Sequence, residues 1–276
     1  MHSIQATPRR AERHRAIFLS DLHLGTLGSR ADLILEFLEA HTGDTIYLVG
    51  DILDIWHPLV IRWGATETRI IELLRQRATE GSRIIYLLGN HDTRFMAEGA
   101  ASPLGTEGDL PVEPKLTDLF VAQDGRRYLV LHGDVCDARP LRFHLLTRIG
   151  SRIDSLLVLV DGLLRRLRIA FGPHGRGPLK LLLSTVNDLL YRSRSHERRL
   201  VALAAADGLD GVICGHFHLA AMHHDHGLLY VNCGDWVDSF TAVVETQDGR
   251  LRLLSAAPHG TGLPAREMGA TVGGGA

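Results

Sequence analysis

The apolar run Ile46 to Val49 ends abruptly in Gly50-Asp51-Ile52-Leu53-Asp54. A short apolar run bounded by glycine reads as a strand buried on both faces of a parallel sheet. A carboxylate at the carboxyl end of such a strand stands where open α/β sheets build their sites. Alone, Asp51 would read as an ordinary turn residue. The chain, however, repeats the arrangement. Ile17 to Ser20 runs into Asp21-Leu22-His23, and Ile84 to Leu88 into Gly89-Asn90-His91-Asp92. Tyr128 to Leu131 runs into His132-Gly133-Asp134, and Val212 to Cys214 into Gly215-His216-Phe217-His218. Five apolar strands thus bring oxygen or imidazole groups to one common edge. Few folds other than a layered α/β structure can do this.

The intervening segments fit that expectation. Ser29 with Asp32 has the spacing of a capping box and predicts a helix through about Ala40, with Leu33, Ile34, Phe37 and Leu38 on its inner face. A second helix is expected from about Thr66 to Thr79, ended by Gly81. This alternation argues for right-handed strand–helix–strand crossovers. Farther on the chain turns to hairpins. Asp124-Gly125, Asp225 to Gly227 and Asp248-Gly249 punctuate short apolar runs. Residues 1–13 and the Gly-rich 258–276 read as disordered tails around one domain, 14–257. Three cysteines without a C-x-x-C pair predict no disulfide framework and a reducing compartment. The polar, Arg-rich start shows no secretory signal, and no apolar run approaches the roughly 18 residues needed for a membrane span.

Between about 138 and 200 the character changes to helical, leucine-rich and basic. Thirteen Arg and Lys stand there against four Asp and Glu, about +9 for the insertion and −11 for the remainder of a chain whose net charge is −2. Such an insertion on an acidic body suits an anionic amphiphile or a membrane surface. A solvated helical hairpin is the plainer reading of the same pattern.

The strand-end residues form a ligand set. Asp21, His23, Asp51, Asn90, His132, His216 and His218 are too many for one zinc-type site and suit two divalent cations sharing a bridge. Asp51 is the best bridge, because a carboxylate has two oxygens. His91 follows a ligand without being an obvious one; it suits a proton donor or phosphoryl-binding group, with Asp92 orienting it. Asp54 and Asp134 are expected to hold ligand imidazoles. His223, His224 and His226 flank a turn and read as surface.

In this order, D-x-H, G-D-x-x-D, G-N-H-D, H-G-D and G-H-x-H resemble the calcineurin-like metallophosphoesterases, over about residues 15 to 256. The resemblance implies a four-layer α/β/β/α sandwich with a dinuclear centre, often Mn²⁺. It implies that Asp21, His23, Asp51 and His218 hold one ion, that Asp51, Asn90, His132 and His216 hold the other, and that His91 is the catalytic histidine. Ser20 to Gly25, Gly50 to Trp56 and Val231-Asn232-Cys233-Gly234-Asp235-Trp236-Val237-Asp238-Ser239 look like the UDP-2,3-diacylglucosamine diphosphatase branch. Members of that branch act in lipid A synthesis at the cytoplasmic face of the inner membrane and carry a helical cap after H-G-D, where the basic insertion lies here. The expected products are UMP and 2,3-diacylglucosamine 1-phosphate, from a nucleotide-linked glycolipid. Arg152, Arg165 and Arg166 are the candidate substrate contacts in the cap. One residue departs from the pattern: the best-known members have Arg where this chain has His91.

Two other functions compete. One is a phosphodiesterase or nuclease on the same centre. A nuclease wants a long basic groove, whereas here the positive charge is confined to one insertion, so no nucleic-acid partner is expected. The other is a non-catalytic scaffold, which would be free to lose ligands; all seven are present.

Overall fold

The computed structural model describes residues 11–54, 61–92, 114–136 and 194–256. The cap, including Arg152, Arg165 and Arg166, and both tails up to residue 10 and from 257 lie outside the described residues.

The first half alternates strand and helix. Strand β1 (Glu12–Leu19), helix α1 (Ala31–Ala40), β2 (His41–Val49), α2 (Ala65–Thr79) and β3 (Arg83–Leu87) follow in order. β4 (Pro114–Lys115), β5 (Thr117–Val121) and β6 (Arg127–Leu131) come next. After the cap come α3 (Ser195–Ala206), β7 (Gly211–Cys214), β8 (Ala221–His223), β9 (Leu229–Asn232), β10 (Thr241–Glu245) and β11 (Leu251–Ser255). The strands form two sheets, in the orders β11-β10-β1-β2-β3-β4 and β5-β6-β7-β9-β8. β1, β2 and β3 are mutually parallel, as are β6, β7 and β9. The five strands that carry candidate ligands are therefore divided between two sheets.

Why continuous apolar runs were needed is plain from the packing. Side chains alternate across a strand, and here both sides are core. Ile17, Leu19, Ile46, Leu48, Ile84 and Tyr86 face α1 and α2. Their neighbours Phe18, Tyr47, Val49, Ile85 and Leu87 face the second sheet, meeting Phe120, Tyr128, Val130, Ile213 and Val231. The outer side of that sheet, with Leu131, Val212, Cys214 and Tyr230, packs on Leu200, Val201 and Ala204 of α3. The result is the α/β/β/α order.

Three local expectations need correction. α1 has Arg30, not Ser29, at its N-cap. The Ser29 hydroxyl donates instead to the Leu22 carbonyl at 2.7 Å, and Asp32 pairs with Arg30 at 2.6 Å. β1 begins inside the stretch read as tail, since Glu12 and Arg13 pair with His41 and Thr42. The end of the segment read as cap is part of α3, whose buried Leu200 and Val201 close the fourth layer.

Candidate metal centre

Parallel strands place their carboxyl ends together, and the loops leaving β1 and β2 are laced side by side. The backbone N–H of Asp21 donates to Gly50 O at 3.0 Å, that of His23 to Asp51 O at 2.9 Å, and that of Leu24 to Ile52 O at 2.9 Å. Asp21 and Asp51 are thereby fixed relative to one another before any side-chain contact. Gly50 has φ of +77°, and a Cβ there would strike the His132 ring. Only glycine lets β2 turn out beneath that imidazole.

The candidate ligands fall into two groups joined at their centre. In the first, His218 Nε2 lies 3.1 Å and His23 Nε2 3.8 Å from Asp21 Oδ1, and the two imidazole nitrogens are 3.4 Å apart. In the second, His132 Nε2 lies 3.3 Å from Asp51 Oδ2 and 3.3 Å from Asn90 Oδ1. His216 joins Asp51 and His132 with all three ligand atoms within 4.8 Å of one another, and Asp51 is also grouped with His23 and His91 within that limit. Asp51 is thus next to both sets. All seven residues that the sequence singles out as ligands lie at this one edge.

The imidazoles are aimed by their far nitrogens. His132 Nδ1 is 3.0 Å from the Val49 carbonyl, which leaves Nε2 toward Asp51. His218 Nδ1 is 2.8 Å from Asp235 Oδ2, which leaves Nε2 toward Asp21. Such carboxylate and carbonyl partners fix the tautomer of a metal-binding histidine. Asp21 is set in turn: its Oδ2 accepts the His216 N–H at 2.8 Å and lies 2.5 Å from Ser20 Oγ.

The electrostatics favour cations. Burial opposes charge on Asp51 and Asp21, yet the surrounding imidazoles hold both carboxyls below the usual range. Burial also opposes charge on His132, and the Asp51 carboxylate outweighs it, raising the imidazole to about 10. Asp21 Oδ1 is fully buried and accepts no hydrogen bond, although His218 stands close by. An orphaned carboxylate oxygen facing imidazole nitrogens, in a set of oxygen and nitrogen donors, fits divalent cations.

The backbone carries strain at the same positions. Asp21, His23, Asp51, His216 and His218 have φ of 54°, 45°, 52°, 70° and 56°, five of the seven non-glycine residues in the left-handed region among those described. Each such residue costs of order 1–3 kcal/mol, and this kind of strain gathers at functional sites.

His91 stands beside the pair. Its Nδ1 is 2.9 Å from Asp54 Oδ2 and its Nε2 is 3.8 Å from Asp51 Oδ2. Burial acts to lower it, but Asp51 and Asp54 prevail and bring it up to about 9. Asp54 also faces His23 Nδ1 at 3.6 Å. The orienting carboxylate of His91 is therefore Asp54. Asp92, expected in that role from its place in the sequence, turns away because its oxygens accept from Leu53 N at 3.0 Å, Tyr86 Oη at 2.9 Å, Gly89 N at 3.1 Å and Ile52 N at 3.4 Å. It ties the β2 and β3 loops together.

Two further expectations need adjustment. Asp134 acts on a site imidazole through its charge, which helps to raise His132, with no hydrogen bond or ion pair between them among the described residues; Asp235, to which the sequence gave no role, makes direct contact, with His218. Its signal was present, since β9 runs through Cys233-Gly234 into Asp235 much as β2 runs into Gly50-Asp51. His223 is buried, not surface: β8 tucks it under α3, with Nε2 3.4 Å from Glu197, while His226 pairs with the same carboxylate at 2.8 Å.

Residues 14–220 match the model of the calcineurin-like phosphoesterase family, and the chain belongs to that family. It is a metal-dependent phosphoesterase. Among curated relatives, the UDP-2,3-diacylglucosamine hydrolase of Nitrosococcus oceani is 27% identical over 246 residues, spanning 84% of this chain and 91% of that one. The enzymes of the same name from Neisseria gonorrhoeae (25%, over 82% of this chain and 92% of the relative) and Xanthomonas campestris (24%, over 84% and 96%) are similar over comparable lengths. No helix among the described residues is long and apolar enough to cross a membrane.

Proposed function

We propose that this chain hydrolyses the pyrophosphate of UDP-2,3-diacylglucosamine, giving UMP and 2,3-diacylglucosamine 1-phosphate, a step of lipid A synthesis. The observation that carries the reading is the extent of the likeness. UDP-2,3-diacylglucosamine hydrolases match 82–84% of this chain, well past the metal-site motifs alone. In this reading Asp21, His23, Asp51 and His218 hold one divalent ion, and Asp51, Asn90, His132 and His216 the other. Manganese is the expected metal. The ions, when bound, polarise a phosphoryl oxygen and acidify water. His91 binds the phosphoryl group through Nε2 and passes its proton to the leaving oxygen, while Asp54 keeps the ring from rotating. The basic insertion, with Arg152, Arg165 and Arg166, would take the anionic amphiphile and rest on the inner-membrane surface from the cytoplasmic side.

His91 supports a second reading. The best-known diacylglucosamine hydrolases have arginine there, a fixed cation, whereas a histidine can give up its proton. A related phosphodiester or pyrophosphate, still amphiphilic or nucleotide-linked, would use that proton. The deciding experiment measures UMP released from UDP-2,3-diacylglucosamine with Mn²⁺, beside a generic aryl phosphodiester and an EDTA control. Metal-dependent UMP release is expected. Cleavage of the aryl diester alone would reject the glycolipid and favour the second reading. Metal-independent turnover would reject the dinuclear mechanism.

A further inference from the structure

A second set of metal-binding groups lies at the other end of the first sheet. β1 and β2 both begin there, and Glu12 is the register partner of His41. Residues Glu12 and His14 are two apart on one strand, so they share a face. Their ligand atoms and that of His41 all lie within 4.8 Å of one another. His14 Nε2 is 3.0 Å from His41 Nδ1, and His41 Nδ1 is 3.9 Å from Glu12 Oε2. His14 leads Asp21 by seven residues of nearly extended chain, which puts the two sites about 20 Å apart. This set is separate from the catalytic edge.

We propose that Glu12, His14 and His41 form an additional divalent-cation site of the zinc type, which clamps the start of β1 to the start of β2.

Geometry supports the assignment. Two nitrogens on a tetrahedral zinc, each at about 2.0–2.1 Å, stand roughly 3.3 Å apart. The two imidazole nitrogens are already within a few tenths of an ångström of that spacing. Glu12 stands about half an ångström beyond that spacing from His41, and it is an exposed side chain free to approach. Two histidines and one carboxylate, with water completing the tetrahedron, make a recognised zinc set. His41 is also held in place: its ring packs on Phe37 of α1 with centroids 4.4 Å apart, and Phe37 in turn meets Trp236 edge-on at 5.3 Å. Each imidazole turns one ring nitrogen to the shared point, His14 through Nε2 and His41 through Nδ1. The guanidinium of Arg13, which lies between Glu12 and His14 in sequence, pairs with Asp44 at 2.5 Å.

A clamp has a purpose at this place. α1 ends at Ala40 and β2 starts at His41 with no loop between them. A cation joining the two strand starts would hold the parallel register from which Asp21 and Asp51 take their alignment.

The test uses the full chain, stripped of metal and dialysed against Zn²⁺, with bound zinc counted by elemental analysis. The parent should retain one more zinc per chain than His41→Gln. In an Asp51→Asn background, which weakens the catalytic centre, zinc at 100-fold over its Kd should still raise Tm by roughly 5–10 °C. Adding His41→Gln should remove that rise. If His41→Gln does not fold by circular dichroism, Glu12→Gln, at an exposed position, should weaken this zinc by at least about tenfold. Equal zinc counts in parent and variant, or an unchanged Tm response, would overturn the proposal. An unchanged count in Asp51→Asn alone would instead count against the dinuclear centre.

Discussion

Two imidazoles of the candidate metal centre, His132 and His218, each rest on one atom behind them. His218 has Asp235, at 2.8 Å, and Asp235 is held in turn by Ser239, whose N–H reaches its other oxygen at 2.6 Å. Asp235→Asn should therefore weaken Mn²⁺ binding about 10–100-fold while leaving the fold intact, as equilibrium dialysis would show. Unaltered affinity would mean that Asp235 serves only the turn. His91 is proposed as a proton donor and not a ligand, so its loss should act differently. His91→Ala should lower kcat roughly 10²–10⁴-fold with the bound metal count unchanged. Loss of one metal per chain in that variant would make His91 a ligand. Asp51 was legible because a glycine and an apolar strand frame it. Asp235 has the same frame but a fainter one, with a cysteine before the glycine. Asp92 was misread because adjacency in sequence says nothing about which way a turn throws the side chain.

At the level of elements, the loops leaving β2 and β3 hang on Asp92. All four of its partners donate, and Tyr86 is one of them. Burial and the nearby Asp51 carboxylate push its carboxyl up to about 6. Asparagine offers a single accepting oxygen, so Asp92→Asn leaves buried donors unpaired. A loss of roughly 3 kcal/mol in urea unfolding is expected, together with a smaller drop in kcat than His91→Ala causes. A stability-neutral Asp92→Asn would refute its role as a tie. The helices and hairpins were readable from period and turn residues. α1 and α2 appeared nearly where apolar spacing put them, and Asp124-Gly125 makes the β5–β6 turn. The capping box read at Ser29 does not form, because its hydroxyl is claimed by Leu22, a partner from the preceding loop. The double burial of β1 and β2 showed in their unbroken apolar runs. What covers each face did not: Ile17 and Phe18 are equally apolar, and only the folded layers tell helix side from sheet side.

Across the whole molecule, stability should depend on pH through buried imidazoles such as His223. Burial holds it below its ordinary value of 6.5, with the Glu197 carboxylate opposing only in part. The unfolded chain takes up a proton near pH 6.5 while the native protein resists it, so the stabilisation is present above that pH and is lost as pH falls below it. Urea midpoints at pH 7.5 and 5.5 should therefore differ less in His223→Phe than in the parent. An identical difference in both would show that His223 carries none of the effect. The layers have a consequence in time as well. Asp21 leaves the ribosome early, whereas His216, whose N–H it accepts, follows 195 residues later, and Asp235 later still. At about 5–20 residues per second this is an interval of roughly 10–40 s. Throughout it the nascent chain holds only part of its ligand set. The ligand set is complete only once the final strands close the second sheet over the first.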